Sequence, residues 1–80
     1  MDLKVFPNPA DDYLVIETGC DHLSTFKLFD ALGTVVVFTE VKDHERISLV
    51  HLEPGLYQYK LISDSRLQIG KLKIIREGEV

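Results

Sequence analysis

The sequence predicts an all-β domain built from seven short strands. Apolar segments recur at intervals of roughly eight to twelve residues between turn signals. Most of them alternate apolar with polar residues at the period of two that a half-buried strand requires. Length supplies the bound. The chain has 80 residues, 45% of them hydrophobic and 28% charged. That suits one domain spanning 1–80 and excludes two, since domains run to roughly 100–200 residues. A chain this small buries only about 60–65% of its unfolded surface, so its core is thin.

The first segment, Leu3 to Phe6, is closed by Pro7-Asn8-Pro9. Each proline fixes φ and pushes its predecessor into extended backbone, which gives a stiff opening corner. Asp12 to Thr18 places Leu14 and Ile16 on one face and Tyr13, Val15 and Glu17 on the other, and Gly19-Cys20-Asp21 ends it. Ser24 to Asp30 sets Phe26 and Leu28 together against Lys27 and stops at Asp30-Ala31-Leu32-Gly33, where Gly33 can take positive φ cheaply. Thr34 to Glu40 is β-branched and apolar on both faces, the pattern of a central strand or of one covered by neighbouring chain.

Arg46 to Val50 pairs Ile47 with Leu49, and Glu53-Pro54-Gly55 carries its proline and glycine as a type II turn does. Leu56 to Ser63 puts Tyr57, Tyr59 and Leu61 on one face. Ser63-Asp64-Ser65 then joins it to the last segment as an antiparallel hairpin. Within that last segment Leu67 and Ile69 are odd-numbered whereas Leu72 and Ile74 are even, so Gly70 between them reads as a bulge or bend. One stretch argues otherwise. Leu23, Phe26, Phe29 and Leu32 recur at three-residue spacing with Gly33 as a stop, the pattern of a short helix. It lacks a capping-box Glu or Gln and runs straight into Val35, so a strand is preferred.

Nine Lys plus Arg against thirteen Asp plus Glu leave a net charge of −4, and no stretch concentrates positive charge as nucleic-acid binding requires. The longest apolar runs, such as Val35 to Phe38, fall far short of the roughly 20 residues of a membrane-spanning helix. No signal peptide follows Met1. A single cysteine, Cys20, excludes an intramolecular disulfide. It sits beside Asp21, whose carboxylate would raise a thiol pKa, and reads as an incidental turn residue.

His22, His44 and His51 form no zinc-type pair and read as solvated loop histidines. Asp11-Asp12 and Asp43 with Glu45 lack the calcium-loop pattern and read as turn carboxylates that cap local amides. No phosphate loop, nucleophile elbow or H-E-x-x-H is present, so no catalytic residue, no cofactor and no metal site is expected. Tyr57 and Tyr59, sharing a face with Leu61, read as buried rings whose hydroxyls reach the edge rather than as a sugar-stacking platform. Lys71 and Lys73 alternate with Leu72 and Ile74, as on the charged outer face of a protected edge strand, and a long edge leaves dimerisation open.

The order Val5-Phe6-Pro7-Asn8-Pro9-Ala10, then Asp12-Tyr13-Leu14, resembles the opening of the C-terminal sorting domains of type IX secretion cargo. Phe26-Lys27-Leu28-Phe29-Asp30 with Gly33 resembles that family's second landmark. Ile47-Ser48-Leu49, Leu52 and Pro54-Gly55-Leu56-Tyr57 resemble its hairpin, and Gly70-Lys71-Leu72-Lys73-Ile74-Ile75 its terminal lysine and aliphatic strand. The resemblance covers 3–75 and leaves 76–80 as a tail. The tail is a departure, since family members usually finish at or just past the lysine-bearing strand.

What the resemblance implies is a seven-stranded immunoglobulin-like antiparallel β-sandwich that acts as an address. It directs a covalently linked upstream cargo through the periplasm and across the outer membrane by the type IX translocon, to a secreted or cell-surface destination. A cell-surface sortase commonly then removes it. Met1 reads as an expression start placed just before the domain. Residue by residue, Pro7, Asn8 and Pro9 shape the opening corner, and Asp30 and Gly33 shape the second landmark. Gly55 and Tyr57 fix the hairpin, and Gly70, Lys71, Leu72, Lys73, Ile74 and Ile75 form the recognised end. Strand addition along that edge is the physical mode proposed for its reading. The alternative is an accessory β-sandwich module that binds carbohydrate or serves adhesion.

Overall fold

A computed structural model describes residues 3–76. It contains β1 (Lys4–Phe6), β2 (Tyr13–Glu17), β3 (Ser24–Phe29), β4 (Val35–Val41), β5 (Glu45–Ser48), β6 (Gly55–Ser63) and β7 (Arg66–Ile74). They form a three-stranded sheet, β1-β2-β5, and a four-stranded sheet, β4-β3-β6-β7, with every strand pair antiparallel. The fold is the expected β-sandwich. None of the described residues forms a helix long and apolar enough to cross a membrane.

Alternation builds the core. Leu14, Ile16 and Ile47 from the smaller sheet meet Phe26, Leu28, Val41, Leu61, Leu72 and Ile74 from the larger one, with Tyr59 stacked on Phe26 at 6.1 Å between centroids. Tyr13 and Lys27 take the opposite phase and stay outside the core. The three-residue spacing of Leu23 and Leu32 carries no packing, because both are exposed while Phe26 and Leu28 are fully buried. Residues 24–29 are therefore a strand.

Three local expectations are corrected. β4 is an edge strand rather than a central one. Its apolar residues occupy both phases because the register shifts from Leu28↔Val37 to Phe29↔Val35. The extra residue, Val36, is half-buried beside Val37, which is what a bulge does to alternation. At the β5–β6 corner the turn is closed by Leu52 N–H donating to the Leu49 carbonyl at 2.9 Å. Gly55 opens β6 with φ +155°, well away from the roughly +80° of a type II turn. The Tyr57 hydroxyl donates to the Glu53 carbonyl at 2.6 Å, the tyrosine corner of immunoglobulin-like sandwiches.

Gly70 is no bulge. β6 and β7 pair in unbroken register from Gly55↔Ile74 to Ser63↔Arg66. Gly70 lies opposite Tyr59, whose ring covers it so closely that a Cβ would stand 2.6 Å from Tyr59 Cε2, Cζ and Oη. The apparent change of phase has a simpler source: Leu67 and Ile69 are exposed apolar residues on the outer face, 58% and 61% accessible.

Carboxylates fix two of the turns. Asp30 accepts the Leu32 and Thr34 amides at 2.9 Å each, and Gly33 sits at φ +84°. Asp43 accepts the Thr18 and Gly19 amides at 2.8 and 3.2 Å, bonds that hold its carboxyl below the usual carboxylate range. A depressed folded pKa stabilises the fold above the unfolded pKa, and that stability is lost as pH falls through the folded value. Asp43→Asn should therefore unfold more easily than the parent at neutral pH, with the gap closing in acid. Thermal denaturation in the two conditions measures it, and an equal gap in both would refute the capping role.

Candidate functional site

β7 runs along one edge of the four-stranded sheet. Its even-numbered residues turn inward, and Leu72 and Ile74 are each 1% exposed. Lys71 and Lys73 project outward, and Ile75 just beyond the strand is partly accessible.

An edge strand normally presents unpaired backbone groups, but along this stretch the opening corner covers them. The Asn8 amide donates from Nδ2 to the Lys71 carbonyl at 2.8 Å, and its Oδ1 accepts the Lys73 amide at 3.2 Å. Ala10 continues the pattern: its N–H donates to the Lys73 carbonyl and its carbonyl accepts the Ile75 amide, each at 2.8 Å, in a short parallel bridge. A proline has no N–H to give a ladder, so between Pro7 and Pro9 the side chain of Asn8 takes the place of a backbone amide. The Phe6–Pro7 and Asn8–Pro9 bonds are both cis. The Pro-Asn-Pro and Lys-Leu-Lys-Ile motifs are thus one hydrogen-bonded unit.

Strand addition along Lys71 to Ile75 would meet an edge that is already largely occupied. The Lys71 carbonyl, the Lys73 amide and carbonyl and the Ile75 amide already have partners, and an incoming strand would have to displace Asn8 and Ala10. The open part of the β7 edge lies earlier, where the outward groups of Leu67 and Ile69 have no backbone partner among the described residues. Asn8→Ala is expected to destabilise the domain by about 1–2 kcal/mol through the two lost bonds. Faster hydrogen exchange at the Lys73 amide reads the effect, and unchanged exchange there would contradict it.

The other motif residues collect at the same end. A shallow, open hollow of about 450 Å³ is bordered by Asp30, Gly33, Leu56, Tyr57, Gln58 and Lys71. Gly55 pairs with Ile74 beside it. Cross-strand pairs Leu56↔Lys73, Gln58↔Lys71 and Lys60↔Ile69 carry the outer face away from this end. A cationic and apolar face is notable on a chain of net charge −4.

Sequence reasoning missed two contributors. Ala10 is fully buried and bonds β7 through its backbone, which no side-chain pattern reveals. Arg76 follows the lysine-bearing strand, and its guanidinium donates to the Asp11, Leu49 and Leu52 carbonyls at 2.7, 2.9 and 2.6 Å. It ties the end of β7 to the smaller sheet. Residues 77–80 of the expected tail lie outside the described residues.

His22, His44 and Cys20 fall away from this end, whereas His51 sits at it, in the β5–β6 corner between the Leu49 and Leu52 carbonyls that Arg76 bonds. His44 bridges Glu17 and Asp43 at 3.1 and 3.2 Å, and His51 is exposed. The Cys20 thiol is held below its ordinary pKa by the Ser63 hydroxyl and then that of Thr18, reversing the rise expected from Asp21.

A small β-sandwich whose opening corner braces a lysine-bearing closing strand is a recognition module, with its signature residues gathered at one end. The family model for the secretion system C-terminal sorting domain matches residues 4–76, and the chain belongs to that family. It is a C-terminal sorting signal of type IX secretion, so it engages the type IX machinery and marks its protein for export to the cell surface or beyond. Nothing in the match supports the accessory binding-module alternative. A comparison with curated proteins gives no match.

Proposed function

We propose that the type IX machinery reads this domain through side chains, with Lys71, Lys73 and Ile75 as the contacts at the end of the closing strand. The observation that supports this is the backbone edge occupied from the Lys71 carbonyl to the Ile75 amide beneath exposed lysine side chains. Gly70, Leu72 and Ile74 act through packing, while Pro7, Asn8, Pro9, Asp30, Gly33, Gly55 and Tyr57 hold that end in shape.

In this reading the domain performs no catalysis. An upstream cargo carries it into the periplasm, an outer-membrane translocon component binds the lysine-bearing end, and a cell-surface sortase then separates domain from cargo. A second copy of the domain would pair at the open edge of Leu67 and Ile69, clear of the lysines.

The test is a periplasmic reporter fused ahead of this chain in a type IX-competent bacterium. Lys71→Glu/Lys73→Glu should abolish surface delivery. Its unfolding free energy should stay within about 0.5 kcal/mol of the parent for each substitution, as for other exposed sites. Normal delivery of the folded double variant would overturn the proposal.

A further inference from the structure

We infer that the end of the sandwich opposite the lysines is a binding site for a zinc-class divalent ion, with Cys20 Sγ, a ring nitrogen of His22 and a carboxylate oxygen of Asp64 as ligands. These donor atoms all lie within 4.8 Å of one another. They come from two separate loops, the β2–β3 connection and the tip of the β6–β7 hairpin, and Asp64 stands 42 residues from His22. No spacing rule in the sequence could have joined them. The inference is independent of the sorting role.

The loops are tied to one another without an ion. Arg66 donates to the Thr18 carbonyl at 3.1 Å across the gap. Gly19 at φ +72° and Asp64 at φ +56° make the two turns that carry the ligands. Beneath the sulfur lie buried hydroxyls: Ser63 Oγ is 3.1 Å and Thr18 Oγ1 3.3 Å from Cys20 Sγ. Hydroxyls around a thiolate are the outer partners that orient and stabilise a sulfur ligand. The Ser24 hydroxyl is a further observation. It opens β3 next to this loop, buried and without a hydrogen-bond partner.

The donor chemistry selects the ion. A thiolate, an imidazole and one carboxylate suit borderline-soft zinc, whereas calcium and magnesium take oxygen ligands. Tetrahedral bonds of about 2.0–2.3 Å place donors roughly 3.4–3.6 Å apart, so the His22–Asp64 pair, now 2.5 Å apart, opens by about an ångström as the ion enters. Water fills the fourth position, since His22 and Asp64 are about half exposed. Binding replaces the thiol proton, and any proton on the coordinating His22 nitrogen, by the metal and releases them to solvent. Because an ion bound only by the folded state adds to stability, the site would serve this disulfide-free domain as a clip between its loops.

Cobalt(II), a spectroscopic substitute for zinc, tests this on the whole chain. Titration should give a thiolate-to-cobalt charge-transfer band at one equivalent, displaced by zinc, with a higher melting temperature in either ion. Cys20→Ser should remove the band. His22→Asn and Asp64→Asn, both exposed and tolerant positions, should weaken binding by roughly tenfold or more, the loss even an outer partner's removal causes, and His51→Asn should leave it unchanged. Absence of the band in the parent, or affinity untouched by both the His22 and Asp64 variants, would overturn the site.

Discussion

Arg76→Ala is expected to cost the fold about 3 kcal/mol, although the residue lies beyond the last strand. Its guanidinium reaches carbonyls of the β1–β2 connection and of the β5–β6 corner, three acceptors that belong to the smaller sheet's side of the sandwich. Hydrogen bonds to charged groups contribute about 1.5–3 kcal/mol each. One guanidinium makes all three, so they do not add, and water reaching the vacated carbonyls at the rim recovers part of the loss.

About 3 kcal/mol is a large share of what a domain of this length holds, roughly 4–12 kcal/mol at 0.05–0.15 kcal/mol per residue. Urea denaturation gives the number. Arg76→Lys should recover little, because an ammonium lacks the planar fork that addresses several acceptors at once. A loss under about 1 kcal/mol would show that the strand end is held by Asn8 and Ala10 without it. The consequence for sorting is direct: the lysines sit within one turn of chain from Arg76, so loosening it loosens the signal.

The parts of this protein that were legible in the sequence are those governed by local chemistry. Period-two alternation located Phe26 and Leu28, Leu14 and Ile16, and Tyr57 with Tyr59 on their inward faces, because a strand exposes its pattern one residue at a time. Turn chemistry located Asp30 and Gly33. What stayed hidden was made by residues far apart in the chain. Asn8 meets Lys71 and Lys73 at separations of 63 and 65 residues, and a side-chain amide standing in for a backbone amide leaves no periodic trace. β4 was misplaced because a single bulge opposite Leu28 and Phe29 puts successive valines on the same side, and composition alone reads that as burial on both faces. Gly70 was misread for a related reason. A missing side chain signals either a bent backbone or a visiting neighbour, and only the cross-strand partner decides between them.

Gly70→Leu should destabilise the domain by about 3 kcal/mol, and the partner that makes it so is Tyr59. The Tyr59 ring is nearly buried, stacks on Phe26 at 6.1 Å and is anchored through its hydroxyl, which accepts Gln68 Nε2 at 3.0 Å. A Cβ at Gly70 would meet that ring at 2.6 Å, so any side chain there expels it. Overpacking costs typically 1–3 kcal/mol, and giving up the aromatic pair adds about 0.5–1.5 kcal/mol. Gly70→Ala should cost less, about 2 kcal/mol, because one methyl asks for a smaller shift. The double-mutant cycle decides the cause. With Tyr59→Leu in place the space is vacant, and Gly70→Ala should then be tolerated, with a coupling of more than about 1 kcal/mol between the two sites. Additive costs would mean that the backbone at Gly70, and not the ring above it, demands glycine. In that event substitution would bend the closing strand itself and carry Lys71 and Lys73 away from Asn8.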